Sequence, residues 1–217
     1  MLKLNNKYSP LFENETRFFI VTGGRGSAKS FATTSFSALL SKEVGHRILY
    51  TRQTMSSAHL SIIPEFQEKL ELLDISRDYS VNKAEIKNNV SGSEILFRGL
   101  KASSGDQTAN LKSLMGIDCW VLDEAEELTD EDKFDTIQRS IRSNTRQNRI
   151  ILILNPATKE HWIYKRFFES MGVEEGFNGI KDNVTYIHTS YLDNIEHLPE
   201  DYIADFKKLE INNPSKY

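Results

Sequence analysis

Residues 23–30 read Gly-Gly-Arg-Gly-Ser-Ala-Lys-Ser, which fits G-x-x-x-x-G-K-[ST] at every fixed position but one. In that pattern backbone N–H groups wrap phosphate oxygens, the lysine reaches the outer phosphates and the last hydroxyl ligates magnesium. Gly23, Gly24, Arg25, Gly26, Ser27, Ala28, Lys29 and Ser30 are therefore the candidate ATP-binding residues. Arg25, held inside the loop, is the best candidate in cis to neutralise charge during phosphoryl transfer. Ala28 stands where the pattern has its second glycine. If the position needs φ > 0, alanine costs about 1 kcal/mol there; if it is already helical, alanine is harmless. Because Ala28 abuts the start of a helix, the helical case is expected. A glycine-rich turn with Lys29 as a surface charge is the plainer alternative. The apolar strand before the loop, the helix after it and an acidic pair downstream count against it.

That acidic pair closes Cys119-Trp120-Val121-Leu122-Asp123-Glu124, four apolar residues followed by two carboxylates. A buried strand delivers its last residues to the carboxyl edge of a sheet, where open α/β folds bind ligands. Asp123 would there hold magnesium, directly or through water, and Glu124 would polarise the attacking water. The alternative is an acidic helix cap; Glu126, Glu127, Asp130, Glu131 and Asp132 are read that way, or as a solvated face. Ile150–Leu154 ends in Asn155-Pro156, so Asn155 would sense the terminal phosphate from the tip of a neighbouring strand, unless the pair is simple turn chemistry. An arginine supplied in trans could be Arg52, Arg98, Arg139 or Arg142, and the residues alone do not choose. His161, Trp162 and Tyr164, near Phe167 and Phe168, read as core or capping residues. Nothing matches a metalloprotease or a nucleophilic triad.

The elements that must position these residues alternate between strand and helix, which predicts an α/β fold with a mainly parallel sheet. Strands are expected over 17–22, 47–52, 119–122, 150–154 and 184–189. Helices are expected over 29–41, over 57–73 with Pro64 kinking or interrupting it, and from Pro199 to about Leu209. Residues 85–90 and 94–98 flank Ser91-Gly92-Ser93 as a hairpin that would extend the sheet antiparallel at one edge. Residues 101–115 read as a mobile loop.

At 217 residues the chain can bury one core, with a small subdomain at most. Its apolar runs are far short of the roughly 20 residues a membrane span needs, and the N-terminus lacks the apolar stretch of a signal peptide. The single cysteine, Cys119, excludes an internal disulfide and a cysteine-rich zinc site; a cytoplasmic protein is expected. A net charge of −4 and a pI near 5.8 argue against static duplex binding by this chain alone. Lys159, Lys165, Arg166, Lys207 and Lys208 could form a local basic face, but read more simply as solvated helix surface.

Taken together, the phosphate loop, Ile95-Leu96-Phe97-Arg98-Gly99-Leu100, Leu111-Lys112-Ser113-Leu114-Met115-Gly116, Trp120-Val121-Leu122-Asp123-Glu124-Ala125-Glu126-Glu127-Leu128 and Ile153-Leu154-Asn155-Pro156 resemble something more specific. With Thr189–Asn194 and Leu198-Pro199, they resemble the ATPase domain of the large terminase subunit of tailed bacteriophages. The resemblance covers most of the chain, residues 1–217, in the family's order. It implies a P-loop NTPase of the RecA-like ASCE type with a small helical lid region. It also implies a magnesium-dependent ATPase that drives double-stranded DNA into a procapsid, as a ring, a pentamer, docked on the portal protein and working with the small terminase subunit. The setting implied is the cytoplasm of an infected bacterial host, on the procapsid during packaging. Lys29, Ser30, Asp123 and Glu124 would keep the roles given above, Arg25 would contact phosphates, and Asn155 would couple hydrolysis to motion. An adenine-contacting segment is expected near Tyr8–Leu11. Two departures stand out: Ala28 replaces a glycine, and the RNase H-like nuclease that follows the motor in this family is not in the sequence. An isolated or truncated motor domain without nuclease activity is therefore expected. The rivals are a RecA-type helicase core, which would need a second lobe, a small-molecule kinase, and an assembly module that binds ATP without turnover.

Overall fold

The structure is a computed structural model and describes residues 3–54, 62–102, 105–106, 115–155 and 158–212. Among these residues ten strands form one sheet: β1 (Phe18–Gly23), β2 (Arg47–Thr54), β3 (Tyr79–Val81), β4 (Glu85–Asn88), β5 (Glu94–Ala102), β6 (Gly105–Asp106), β7 (Cys119–Leu122), β8 (Arg149–Leu154), β9 (Gly179–Lys181) and β10 (Val184–Thr189). Their order is β3-β4-β5-β2-β7-β8-β1-β10-β9, with β6 turned back onto β5. The central run from β5 to β10 is parallel. β4 and β3 lie antiparallel beyond β5, and β9 lies antiparallel beyond β10. The mostly parallel sheet and the edge hairpin are thus as expected.

Alternate residues of the central strands face opposite ways, and both faces are covered. Phe19, Val21, Tyr50, Ile151 and Ile153 enter one core with Leu11 of α1 (Pro10–Glu13), Phe36 of α2 (Lys29–Leu40) and Phe66 of α3 (Ile62–Leu72). Ile20, Leu49, Trp120, Leu152 and Leu154 enter the other with Phe134 of α4 (Glu131–Gln138) and Trp162 of α5 (Trp162–Tyr164). Double coverage is why β7 and β8 read as unbroken apolar runs rather than alternating ones. Parallel strands flanked by helices send their carboxyl ends to one edge. There Gly23, Arg52, Leu122 and Leu154 bring the candidate residues together.

One expectation needs correction, and another falls partly outside the described residues. α3 is described from Ile62, with Pro64 inside that span; 55–61, where the expected helix would begin, lie outside the described residues. In the span expected as a loop, 101–102 continue β5 and 105–106 pair with it, while 103–104 and 107–114 lie outside the described residues. The final helix, α6 (Glu200–Asn212), starts directly after Pro199 as expected.

Candidate active site

β1 ends at Gly23, which runs so close to β10 that a Cβ would lie 2.0 Å from the Thr189 carbonyl oxygen. Only glycine passes there. The loop then closes on Ala28, whose φ of 66° and ψ of 23° are left-handed, immediately before Lys29 opens α2. The expectation that Ala28 is already helical is therefore wrong. Loop closure, not helix propensity, sets this backbone, and alanine bears a strain of about 1 kcal/mol that glycine would not. Ala28→Gly is expected to raise the melting temperature by about 2–4 °C. Thermal unfolding checks this, and an unchanged or lower Tm would contradict the strain.

Lys29 is largely buried. Its Nζ donates to the carbonyls of Gly23 at 2.6 Å and Gly24 at 2.9 Å, and lies 3.3 Å from Asn155 Oδ1. Burial lowers the pKa of this ammonium, and the Glu126 and Asp123 carboxylates push it back up. Lys29, Ser30 and the exposed Arg25 face a cleft of about 1190 Å³ that Asp123, Glu124 and Asn155 also line.

Three side chains outside the motif clamp the loop. The Tyr8 hydroxyl donates to the Ser27 carbonyl at 2.7 Å and lies 2.7 Å from Thr189 Oγ1. Asn194 Nδ2 donates to the Gly26 carbonyl at 2.9 Å, and Tyr202 of α6 is 3.0 Å from where a Gly26 Cβ would stand. Gly26 also has φ +77°, so a side chain there is excluded twice over. Tyr8 and Leu11 are thus committed to the core and the loop, and the N-terminal wall of the cleft is carried by Lys3–Asn6 as well as Tyr8. Tyr8, of the segment expected to contact the base, lines the cleft together with Leu192 and Ile195.

Asp123 and Glu124 leave β7 at the same edge. Asp123 is buried, its N–H donates to the Thr51 carbonyl at 2.9 Å, and its Oδ1 accepts the Glu124 N–H at 3.1 Å. Glu124 has φ +53°, a left-handed conformation that is costly for a non-glycine residue and common at functional sites. That turn keeps its half-exposed carboxylate beside the cleft. Partial burial raises the Glu124 pKa; Arg52 opposes this and the Asp123 charge reinforces it.

Arg52 is the main surprise. The register Thr51↔Leu122 brings it abreast of Asp123. Its Nε and a terminal nitrogen reach Asp123 Oδ2 at 2.7 and 2.5 Å, and Nε is 3.9 Å from Glu124. Arg52 is therefore tied to the two carboxylates of its own chain. Truncating it strands a buried carboxylate, so Arg52→Ala is expected to destabilise the fold by roughly 3 kcal/mol. Urea unfolding checks this; a change under about 0.5 kcal/mol would show that the pair is incidental. Among the other arginines, Arg98 donates to the Ala84 and Phe97 carbonyls. Arg139 pairs with Asp135 on the surface, and Arg142 is exposed.

Asn155 follows β8. Its backbone N–H and Nδ2 both donate to Glu126 Oε1, at 3.2 and 2.8 Å, a partnership with no counterpart in the sequence pattern. His161 caps α5 by accepting the Ile163 N–H, and Trp162 packs 4.7 Å from Phe134, so both are core or capping residues as expected. Of the suggested basic face, Arg166 is tied to Glu131 and Asp135, and Lys208 lies 3.6 Å from Asp205.

The donor set suits magnesium. Ser30 and Asp123 offer hard oxygens, and this ion commonly takes one or two protein ligands with substrate phosphates and water. Such a site needs no cage, and among the described residues no cluster of three or more His, Cys, Asp or Glu side chains forms one. Nor, among the described residues, is any helix long and apolar enough to cross a membrane.

The family model for the phage terminase large subunit matches residues 15–217. The chain belongs to this family. The large terminase subunit of Bacillus phage SPP1 is 24% identical over 236 aligned positions, covering the whole chain and 52% of that protein. The terminase chain thus spans about half the length of this curated relative. Among solved structures, the large terminase of a thermophilic bacteriophage superposes with a TM-score of 0.73 at 13% identity, over 96% of this chain and 50% of that one. That thermophilic phage terminase has also been solved with ADP and with ATP-γ-S. The ATPase domain of the Thermus phage P74-26 large terminase gives a TM-score of 0.70 at 17% identity, over 98% of this chain and 90% of that one. The fold is that of a large terminase ATPase domain.

Proposed function

We propose that residues 1–217 are the N-terminal motor domain of a large terminase and hydrolyse ATP with magnesium to translocate double-stranded DNA into a procapsid. The observation that carries this reading is convergence. Lys29, Asp123, Glu124 and Asn155, from three separate strand ends, meet around one cleft. A nucleotide holder needs the loop; a carboxylate beside the metal ligand, turned by a strained backbone, serves water activation.

In this reading the N–H groups of 24–30 and the Lys29 ammonium bind the phosphates, and exposed Arg25 reaches them from the loop. Ser30 and Asp123 would hold magnesium, which when bound neutralises charge on phosphate oxygens. Glu124 orients the attacking water and accepts its proton. Arg52 holds both carboxylates in register. The proposed partners are the portal protein, the small terminase subunit and further copies of this chain in a pentameric ring, acting at the procapsid in the cytoplasm of an infected bacterium. The test is DNA packaging in procapsids, read as DNase-protected DNA. ATP-dependent protection lost with Glu124→Ala is expected; protection that persists without ATP would overturn the motor role.

A further inference from the structure

Asn155 is held by Glu126, two residues beyond the Asp123-Glu124 pair and without a site role in the sequence pattern. Glu126 Oε1 accepts two bonds from it, one from the backbone and one from the carboxamide. The carboxamide is thereby oriented with Nδ2 on Glu126 and Oδ1 turned to Lys29 Nζ at 3.3 Å. The other Glu126 oxygen, Oε2, is buried and has no hydrogen-bond partner among the described residues. Among the described residues, the Glu126 carboxylate is therefore satisfied by Asn155 alone. Lys29, Asn155 and Glu126 form one chain of contacts, and all three line the cleft.

We propose that Glu126 is a positioning residue that holds Asn155 off the terminal phosphate, so that a nucleoside triphosphate must displace it and a diphosphate need not. The inference deepens the ATPase reading and rests on it. The outermost phosphate of a triphosphate reaches toward the loop lysine. There it competes with Glu126 for the carboxamide donors, because both are anionic acceptors. A carboxylate bond to an amide is charge-assisted and stronger than a neutral one, so Glu126 opposes triphosphate binding until phosphate contacts exceed it. When the terminal phosphate leaves, Asn155 returns to Glu126. Asn155 follows β8 directly, and Glu126 lies in the short helical turn 125–127 after β7. The exchange thus links phosphate occupancy to two neighbouring strand ends.

The experiment is a titration of the 217-residue chain with fluorescent ADP and with ATP-γ-S, read as the ratio of the two dissociation constants. Glu126→Ala frees Asn155 and is expected to favour ATP-γ-S over ADP by roughly tenfold more than wild type, the size of one charge-assisted bond. Glu126→Gln loses the same charge but keeps an acceptor oxygen, so it should shift the ratio by less than about threefold. In an Asn155→Ala background, Glu126→Ala should no longer shift it. Equal shifts for the Ala and Gln variants would show that charge alone acts, and overturn the proposal. So would a shift that persists without Asn155, or no shift at all. A wild type that binds both nucleotides without hydrolysing ATP would sink the ATPase reading while leaving this ratio decisive. A wild type that binds neither overturns both.

Discussion

Glu124→Ala is expected to lower steady-state ATP hydrolysis by about 10²–10⁴-fold, the usual contribution of a positioned general base, while nucleotide affinity stays close to wild type. The split follows from placement. The phosphates are bound by the loop and Lys29 at the end of β1, whereas Glu124 lies two strands away on β7 and contacts Arg52 rather than the loop. Removing it deletes proton acceptance without touching the phosphate cradle. The pH profile adds a second readout. A base must be ionised, and burial raises the Glu124 pKa above its ordinary value. Activity should therefore fall with decreasing pH at a higher pH than an unperturbed glutamate would impose, and Glu124→Ala should abolish that limb. A variant with normal turnover, or one that loses binding and turnover together, would contradict the assignment.

Lys29→Ala should act on binding itself. Its ammonium already lies within reach of two loop carbonyls and Asn155, at the place where the outer phosphates belong. Losing one or two charge-assisted bonds of about 1.5–3 kcal/mol each should weaken ATP-γ-S binding by roughly a hundredfold. Lys29→Arg should not rescue it, because a planar guanidinium does not fit a point-charge position between two carbonyls. Isothermal titration decides: affinity within about threefold of wild type would return Lys29 to the role of a surface charge.

Much of this site is legible without the fold, because the informative residues stand at strand ends. Four apolar residues followed by Asp123 and Glu124, and five followed by Asn155, announce buried strands that deliver polar tips. What stays hidden depends on neighbours. Arg52 reads as any strand-end arginine until β2 is known to lie beside β7; strand order is set by the whole sheet and leaves no local mark. Glu126 reads as one of a run of acids, and only the adjacency of β7 and β8 brings it to Asn155. Ala28 departs from expectation for a related reason. Side-chain identity carries helix propensity, while the left-handed φ comes from closing a loop between β1 and α2. β9 is three residues long, too short for a periodic signal, although Asp182-Asn183 before β10 is a usable turn signal.

The central claim is that the phosphate loop and the Asp123-Glu124 strand end form one hydrolytic centre. Phosphate release from ATP by the 217-residue chain, followed with and without magnesium and then in Glu124→Ala, tests it most directly. The account predicts magnesium-dependent release that the substitution abolishes while ATP remains bound. Binding without release in the wild type, even at high protein concentration with portal protein and DNA present, would contradict it.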